Sequence, residues 1–186
     1  MKKSDIYTQD TITKAWFFAS NAHANQKLPA SKLPYLTHIG NVMMEIMRVS
    51  NTLTDPEFAI ICAILHDTIE DTEITYQDLH HHFSYEVAEG VLALTKDNQL
   101  GSKEQQMLDS LDRIKNQPFE IWAVKMADRI ANLRQPPSHW QREKIMRYQQ
   151  EAELILTALG EANTQLAGRL QAKILDYQQY YEESKR

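Results

Sequence analysis

The sequence predicts an all-α fold, a single-domain bundle of about eight to ten helices. Three observations support this prediction. Apolar residues recur at intervals of three and four in one segment after another, which is the period of an amphipathic helix. No segment alternates apolar and polar residues as a half-buried strand does. Only 5 glycines occur among 186 residues, too few for the tight turns of a β-rich fold.

Composition and charge exclude several classes of protein. Hydrophobic residues make up 42% and charged residues 24%, which is typical of a soluble globular protein. The net charge of −5 argues against a protein that coats nucleic acid. No apolar run approaches the roughly 20 residues of a membrane span, and the charged N-terminus lacks the apolar stretch of a signal peptide. We therefore expect one cytoplasmic domain over residues 1–186, with neither nucleic acid nor membrane as a partner.

The first three helices follow from their apolar stripes and end signals. The first is expected over about residues 10–25, and a loop with two prolines separates it from a second over about 35–49. Asp55 followed by Pro56 marks the start of a third helix, as an N-cap acid and a proline at the first helical position. This helix is apolar all round until His66, so it should lie in the middle of the bundle.

Residues that cap helix N-termini mark the later helices. Thr75 with Asp78 three positions later indicates a variant capping box. Ser84, Ser138 and Asn163 are further N-cap candidates. We expect a loop over residues 97–102 and helices over about 75–83, from 84 onward, and over 103–115, 118–134, 138–159 and 163–181.

His66 and Asp67 end the buried helix, and other candidate metal ligands accompany them. His38 lies near the start of an amphipathic helix, and Asp128 ends a largely apolar run. Buried carboxylates cost free energy unless they are paired or bind metal. Two imidazoles with two carboxylates suit Mn²⁺, Fe²⁺ or a similar ion, whereas structural zinc sites are more often rich in cysteine. The alternative is that both histidines are hydrogen-bonded core residues and that Asp67 only ends a helix.

Two carboxylates follow this pair directly. In helical geometry Glu70 lies four residues after His66, and Asp71 lies four after Asp67, so both would be near the ion. A carboxylate beside metal-bound water can orient the water and take its proton, as hydrolysis requires. A solvated acidic turn is the alternative interpretation of the same residues.

Other polar residues are candidates for substrate contacts. Asn132 lies one helical turn after Asp128 and is placed either to touch substrate or to bond within the bundle. Most surface cations only keep a protein soluble. With that alternative open, phosphate contacts could come from Lys27, Lys32, Lys125, Arg134, Arg142 and Arg147.

Several conspicuous residues are expected to be structural. Successive helical residues point about 100° apart, so the three histidines at 80–82 cannot all face one ion. Cys62 lies in an apolar run and should be a buried thiol. His23 and His139 are expected to pack or cap. The aromatic run at 16–18 is expected in the core, and a packing or partner face is expected from Tyr177, Tyr180 and Tyr181.

Five stretches occur in a specific order over most of the chain: AHANQ at 22–26, PYLTH at 34–38, LHDTIEDT at 65–72, LTK at 94–96 and VKMADRIANLR at 124–134. Together they resemble the hydrolase domain of the RelA/SpoT alarmone enzymes, within the HD phosphohydrolase superfamily. Trp140 and Tyr148 further resemble a Trp and a Tyr in the last part of the small stand-alone hydrolases, the metazoan SpoT homologues.

The resemblance implies an HD-type helical domain that removes the 3′-pyrophosphate of guanosine tetra- or pentaphosphate, usually with Mn²⁺. It implies one ion, with the ligands His38, His66, Asp67 and Asp128. It also implies roles for Glu70 and Asp71 in activating water. Contacts to the nucleotide substrate are implied for Asn132, Tyr148 and, by motif position, Lys27.

One position departs from this pattern. The alarmone hydrolases usually carry an Arg two residues after the Gln of the first motif, where this chain has Leu28. Lys27 can supply charge but lacks the planar fork of Arg. Two other functions therefore stay open. One is a phosphatase for nucleoside monophosphates or for the 2′-phosphate of NADPH, and the other is a metal-stabilised binding module without turnover.

Overall fold

A buried helix lies in the middle of the structure, and other helices pack around it. The computed structural model describes residues 9–182. Short 3₁₀ turns follow the second helix at Ser50–Thr52 and the ninth at Gly160–Ala162. The α-helices, in chain order, are α1 Gln9–Ala22, α2 Leu36–Val49, α3 Pro56–Leu65, α4 Thr68–Asp71, α5 Tyr76–His82, α6 Tyr85–Leu94, α7 Lys103–Lys115, α8 Phe119–Asn132, α9 Arg142–Leu159, α10 Thr164–Tyr177 and α11 Gln179–Glu182.

The central helix α3 is apolar because α1, α2, α6 and α8 all pack against it. Asp55 caps it by accepting a hydrogen bond from the Phe58 N–H at 3.1 Å, and Pro56 occupies the first turn. Buried Glu120 on α8 accepts from the backbone N–H groups of Thr54 and Asp55 at 3.1 and 2.9 Å. These contacts fix the start of α3, so its C-terminal end is positioned in the middle of the bundle.

The prediction of an all-α domain is confirmed. Within residues 9–182 no strand forms, and the β-type pairing there is an isolated bridge between Lys27 and Pro34. The predicted N-caps Thr75, Ser84 and Asn163 are present. The helices share one hydrophobic core. In this part of the chain, no helix is long and apolar enough to cross a lipid bilayer.

The predicted C-terminal ends of α1 and α8 are wrong. α1 ends at Ala22 rather than at residue 25, because the chain turns and the Gln26 carbonyl accepts the Tyr35 N–H at 3.0 Å. α8 ends at Asn132 rather than at residue 134. Leu133 has ψ 67°, which lies outside the helical range.

The predicted start of α9 and the predicted end of α10 are also wrong. Ser138 does not cap α9, because the Trp140 N–H donates to the Pro137 carbonyl at 2.9 Å and closes a turn around it. α9 therefore starts four residues later than expected, at Arg142. The predicted helix over 163–181 is interrupted after Tyr177, and the short helix α11 follows.

The burial of Cys62 and of the aromatic side chains agrees only in part with the predictions. Cys62 is fully buried, as predicted. Trp16 and Phe18 are half-buried against the core, but Phe17 is 65% exposed, so the prediction of a buried aromatic run is wrong at its central residue. Tyr177 is buried, in agreement with a packing role for the C-terminal tyrosines.

Candidate active site

The bundle brings all four predicted metal ligands together. His38 lies on α2, His66 and Asp67 lie between α3 and α4, and Asp128 lies on α8. The Nε2 atoms of His38 and His66 are 3.1 Å apart. His38 Nε2 also lies 3.4 Å from Asp67 Oδ2 and 3.4 Å from Asp128 Oδ1. His66 Nε2 lies 2.8 Å from Asp67 Oδ2 and 3.9 Å from Asp128 Oδ1. The ligand atoms of His38, His66 and Asp67 therefore converge on one point, and Asp128 faces this group from the side of the two histidines.

The break between α3 and α4 places Asp67, Glu70 and Asp71 beside the candidate metal ligands. α3 ends at Leu65, whose carbonyl accepts the Thr68 hydroxyl at 2.7 Å. Asp67 lies in the break with φ −100° and ψ 0°, and α4 starts directly after it. Glu70 and Asp71 on this short helix line the same small cavity as Asp67. The predicted proximity of the acidic pair to the candidate ligands is therefore present.

The donor atoms suit one divalent ion. An ion that binds nitrogen and oxygen at about 2.1 Å keeps neighbouring ligand atoms about 3 Å apart, close to most of the spacings here. His66 Nδ1 donates to the Ala63 carbonyl at 2.8 Å, which leaves the Nε2 lone pair for a metal. Buried imidazole nitrogens 3.1 Å apart that both present lone pairs repel each other unless a proton or a cation lies between them.

The charges of the site attract cations. Burial opposes ionisation of Asp67, but His66 and His38 together outweigh it and hold the pKa of Asp67 well below its usual range. Burial also opposes ionisation of Asp128, but Lys125, His38 and His66 together outweigh it and lower the pKa of Asp128. Burial also disfavours protonated His38, yet hydrogen bonds to the two carboxylates raise its pKa to about 9. Protons and metal ions therefore compete for the same atoms.

Outer hydrogen bonds orient the two candidate carboxylate ligands. The Tyr35 hydroxyl donates to Asp67 Oδ2 at 2.6 Å, and burial together with the Asp67 charge raises the Tyr35 pKa, so this tyrosine keeps its proton. Asp128 accepts from Asn132 Nδ2 at 2.7 Å and from buried Lys125 Nζ at 3.3 Å. Such partners fix the orientation of a ligand and raise metal affinity.

Lys96 holds Glu70 from two directions. Its backbone N–H donates to Oε2 at 2.9 Å and its Nζ donates to Oε1 at 3.1 Å. Burial disfavours the Lys96 charge, but the Glu70 and Asp128 carboxylates together outweigh it and raise the Lys96 pKa. Glu70 is thus fixed beside the candidate ligands with a permanent positive charge next to it.

Asp71 is oriented by a chain of two side chains. Gln26 Nε2 donates to Asp71 Oδ2 at 3.0 Å, and Gln26 Oε1 lies 2.5 Å from His23 Nδ1. His23 is buried and stacks on Tyr35, with ring centroids 5.1 Å apart. The expectation that His23 packs is confirmed, and through Gln26 it also determines where Asp71 lies.

Three cavities meet at Asn132. The metal-centre cavity, about 120 Å³, is lined by the candidate ligands His66, Asp67 and Asp128 and by both acidic residues. The cationic cavity, about 550 Å³, extends from there between α7 and α9 past Lys96, Lys103 and Arg147. The loop cavity, about 600 Å³, extends the other way along residues 28–33 and 134–138. Asn132 lines all three, and Trp140 and Tyr148 line both larger cavities.

The predicted substrate residues differ in their placement. Tyr148 lies at the junction of the two larger cavities, as does Trp140, whose ring meets it edge to face at 5.3 Å between centroids. Lys27 is exposed and lines none of the three cavities, so its role stays a prediction. Among the other candidate cations, Lys125, Arg134 and Arg147 line a cavity, whereas Lys32 and Arg142 do not.

Sequence reasoning assigned no role to several residues that shape the site. Lys96 and Gln26 lie in the motif stretches at 94–96 and 22–26, which is the signal that could have found them. Arg129 is buried, stacks on Tyr148 with its guanidinium carbon 4.2 Å from the ring centroid, and pairs with Glu151 at 3.3 Å. Its position next to Asp128, within the motif stretch at 124–134, is the signal that could have indicated this role.

The histidine run at 80–82 stays outside the site. All three residues are exposed on α5. Within residues 9–182, a geometric group of three or more possible metal ligands forms at His38, His66 and Asp67, and it does not include these histidines. The interpretation of the run as a solvated helix end agrees with this placement.

Comparison with known proteins identifies the class. Residues 15–166 match the HD domain family. The enzyme named guanosine-3′,5′-bis(diphosphate) 3′-pyrophosphohydrolase MESH1 from Danio rerio is 30% identical over 165 residues, covering 86% of this chain and 89% of the relative. Its Xenopus tropicalis counterpart is 29% identical over 170 residues, covering 89% and 93%. The chain therefore belongs to the HD domain family and, within it, to the group of the MESH1 proteins.

A solved structure agrees with this assignment. The structure described as a metazoan ortholog of SpoT that hydrolyzes ppGpp superposes with a TM-score of 0.79 at 25% identity, covering 91% of this chain and 97% of that one. The protein lmo0812 from Listeria monocytogenes superposes with a TM-score of 0.58 at 22% identity and shares the fold.

Proposed function

We propose that this chain is a metal-dependent hydrolase that removes the 3′-pyrophosphate from guanosine 3′,5′-bis(diphosphate). The observation that carries the proposal is the coincidence of two facts. Relatives that bear this activity in their names align with nearly the whole chain. The same chain gathers His38, His66 and Asp67 within 3.4 Å of one another, with Asp128 3.4 Å from His38 and with Glu70 and Asp71 directly beside them.

The proposed ion is held by His38, His66, Asp67 and Asp128, and Mn²⁺ is the ion we expect. A mixed set of imidazoles and carboxylates suits Mn²⁺ better than a thiolate-selecting metal. When bound, such an ion stabilises charge on a phosphoryl oxygen and lowers the pKa of water. Tyr35 and Asn132 keep the ligand carboxylates in place through their hydrogen bonds.

Glu70 and Asp71 orient the attacking water and remove its proton. Both side chains line the metal-centre cavity, and each is held by a neighbour, Glu70 by Lys96 and Asp71 by Gln26. A positioned carboxylate that accepts a proton as water attacks phosphorus typically contributes 10²–10⁴-fold to a rate. The bond between the ribose 3′-oxygen and phosphorus breaks, and pyrophosphate and guanosine 5′-diphosphate leave.

The two larger cavities accommodate the rest of the nucleotide. The loop cavity combines apolar residues such as Leu33 and Pro136 with the aromatic side chains of Trp140 and Tyr148, a lining suited to a nucleoside. Asn132 lies at the junction and is available to both the ion's ligands and the substrate. We propose Lys27 as a further substrate contact by its motif position, although its side chain lines none of the three cavities.

Hydrolysis of a panel of nucleotides by the Mn²⁺-loaded protein tests the proposal. The panel contains guanosine 3′,5′-bis(diphosphate), NADPH and nucleoside monophosphates, and pyrophosphate and orthophosphate are measured separately. We expect pyrophosphate from the bis(diphosphate) and little release from the others. Orthophosphate from NADPH or a monophosphate, with the bis(diphosphate) left intact, would show that another substrate is the true one. Binding without turnover of any compound would indicate a binding module.

The remaining parts of the proposal concern the domain organisation of the chain and its location in the cell. We propose that residues 1–186 act as one domain, since residues 9–182 share a single core. We also propose that the protein acts in the cytoplasm on free nucleotides. Fractionation of cells that express the chain, followed by the hydrolysis assay on each fraction, tests this part.

A further inference from the structure

Arg113 on α7 binds the C-terminal end of α6 through its whole guanidinium group. Its Nη1 donates to the carbonyl oxygens of Leu92 and Ala93 at 2.6 and 3.2 Å. Its Nη2 donates to the carbonyl oxygen of Thr95 at 2.7 Å. Its Nε donates to Asp109 Oδ2, one turn earlier on α7, at 2.8 Å. Because all three nitrogens are engaged, the guanidinium plane is fixed relative to both helices.

The end of α6 provides the carbonyl groups that this contact needs. The last carbonyls of a helix have no partner within the helix, and they carry a partial negative charge that attracts cations. α6 ends at Leu94, and the next residue, Thr95, is extended with φ −71° and ψ 130°. Buried Ser110 on α7 also donates to the Ala93 carbonyl, at 3.3 Å. Side chains of α7 therefore determine the direction in which the chain leaves α6.

The contact continues across one peptide group to Glu70. The Thr95 carbonyl and the Lys96 N–H belong to the same planar trans peptide unit, in which they point in opposite directions. Arg113 binds the carbonyl end at 2.7 Å, and Glu70 Oε2 accepts from the N–H end at 2.9 Å. A hydrogen bond to the carbonyl also polarises the amide, so the N–H becomes a stronger donor. The position of Arg113 thus determines where the backbone hydrogen bond to Glu70 lies.

Arg113 itself lies outside the site. It lines none of the three cavities, and its side chain is 32% exposed. We infer that Arg113 is a positioning residue, which orients Glu70 beside the candidate metal ligands through the backbone of Lys96. The inference rests on the proposed function for the role of Glu70, and it extends the groups that support hydrolysis to a residue on α7.

Loss of this contact should affect the chemical step rather than substrate binding. A carboxylate that takes a proton from water contributes about 10²–10⁴-fold to a rate, and part of this contribution depends on its orientation. Arg113→Met keeps an apolar side chain but removes every donor. We expect kcat for the bis(diphosphate) to fall about fivefold, with KM changed by less than about twofold. Arg113→Lys, which keeps the charge but lacks the planar fork, should lie between Arg113→Met and the wild type.

The Glu70→Gln background separates this role from general support of the fold. In that background the group that Arg113 orients no longer takes a proton, so Arg113→Met should lower kcat by less than about twofold. A role confined to stability would lower kcat by the same factor in both backgrounds. Equal factors would therefore overturn the inference, as would wild-type kcat in the single variant Arg113→Met.

Arg169→Met is the matched control. Arg169 on α10 also bridges two helices, since its Nε and Nη2 donate to Glu45 on α2 at 2.5 and 2.6 Å. It is exposed and lines none of the three cavities. We expect this variant to keep the wild-type kcat and KM. The same fall in kcat as in Arg113→Met would show that loss of any interhelical arginine has this effect, and it would overturn the role of Arg113.

Hydrogen exchange tests the orientation without any substrate. If the wild-type protein leaves the bis(diphosphate) intact, the proposed function fails, but NMR can still measure the exchange rate of the Lys96 amide. We expect this amide to exchange about tenfold faster in Arg113→Met than in the wild type, because the peptide group is no longer held in place. Amides of the central helix α3 should change no more than in Arg169→Met, which would exclude a general loss of stability. An unchanged exchange rate at Lys96 overturns the inference whether or not the protein is a hydrolase.

Discussion

The metal centre and the walls of the two larger cavities are built differently. In the centre, His38 and His66 are buried, and each candidate carboxylate ligand accepts a hydrogen bond from a neighbouring side chain. In the cavity walls, Lys103, Lys144 and Arg147 are exposed and are not ion-paired to any of the described residues 9–182. The centre is therefore preorganised by the fold, whereas the walls are held in place mainly by the loops and helix ends that carry them.

This difference separates the sources of rate and of selectivity. A group that the fold already holds in place acts in the transition state without an entropy cost of ordering. Substitutions in the metal centre should therefore reduce kcat. Exposed side chains on a cavity wall act on the bound substrate at every stage, so changes there should raise KM.

Outside the candidate metal ligands themselves, the largest effect is expected for Glu70→Gln. Gln keeps the size of the side chain, and its carbonyl oxygen can accept one of the two hydrogen bonds from Lys96, but it cannot take a proton from water. We expect kcat for the bis(diphosphate) to fall about 10²–10³-fold with Mn²⁺ binding retained. Steady-state kinetics and a metal-binding titration measure the two quantities. Glu73→Gln, at an exposed acid three residues later, should have wild-type kcat.

A smaller effect is expected for Gln26→Ala, which removes the side chain that links His23 to Asp71. Asp71 keeps its charge but loses its orientation, so we expect kcat to fall about tenfold with little change in KM. The neighbouring exposed substitution Asn25→Ala is the control. A rise in KM with unchanged kcat would contradict this prediction, because it would show that Gln26 acts on substrate binding rather than on the catalytic step.

On the wall side, Trp140→Ala is expected to act through binding. The indole ring lies under Lys144 and packs edge to face on Tyr148, and it lines both larger cavities. We expect KM to rise about fivefold with kcat nearly unchanged, since loss of an aromatic ring on which a base stacks costs about 1 kcal/mol or more of binding free energy. Equal losses in kcat and in kcat/KM would contradict the division between centre and walls.

The smallest effect is expected for stability at the loop cavity. Ala30 has φ 55°, a left-handed conformation that disfavours residues with a Cβ, and it lines this cavity. Ala30→Gly should raise the free energy of unfolding by about 0.5 kcal/mol, because removal of strain exceeds the added entropy of the unfolded chain. Urea denaturation measures the change, and a loss of stability would show that the loop is not strained there.

The same contrast explains how far the sequence could be interpreted. The buried α3, its cap Asp55 and the pair His66 and Asp67 were predictable, since strong apolar patterns and buried polar residues carry physical constraints that a single sequence displays. The turn around Ser138 was not predictable, because Trp140 bonding back to Pro137 decides it and competes with a good capping residue.

The residues that line the two larger cavities were harder to predict from the sequence than the metal centre. Lys27 was selected by its position in a motif, yet it lies outside the three cavities, whereas Lys103 and Lys144 line one of them without any local signature. Whether an exposed lysine faces a cavity depends on how α7 packs on α9, which no spacing along the chain records. Glu70 and Lys96 likewise meet across 26 positions of sequence, so their pairing had to come from the fold.

The most direct test of the account is a Mn²⁺ titration of metal-free protein while cleavage of guanosine 3′,5′-bis(diphosphate) is followed. The account predicts that pyrophosphate release rises linearly and saturates at one ion per chain. Asp67→Asn, which removes the charge of one predicted ligand, should fall at least about 10³-fold below wild type at saturating Mn²⁺. Full activity of thoroughly metal-free protein, or wild-type activity of Asp67→Asn, would contradict a metal centre at His38, His66, Asp67 and Asp128.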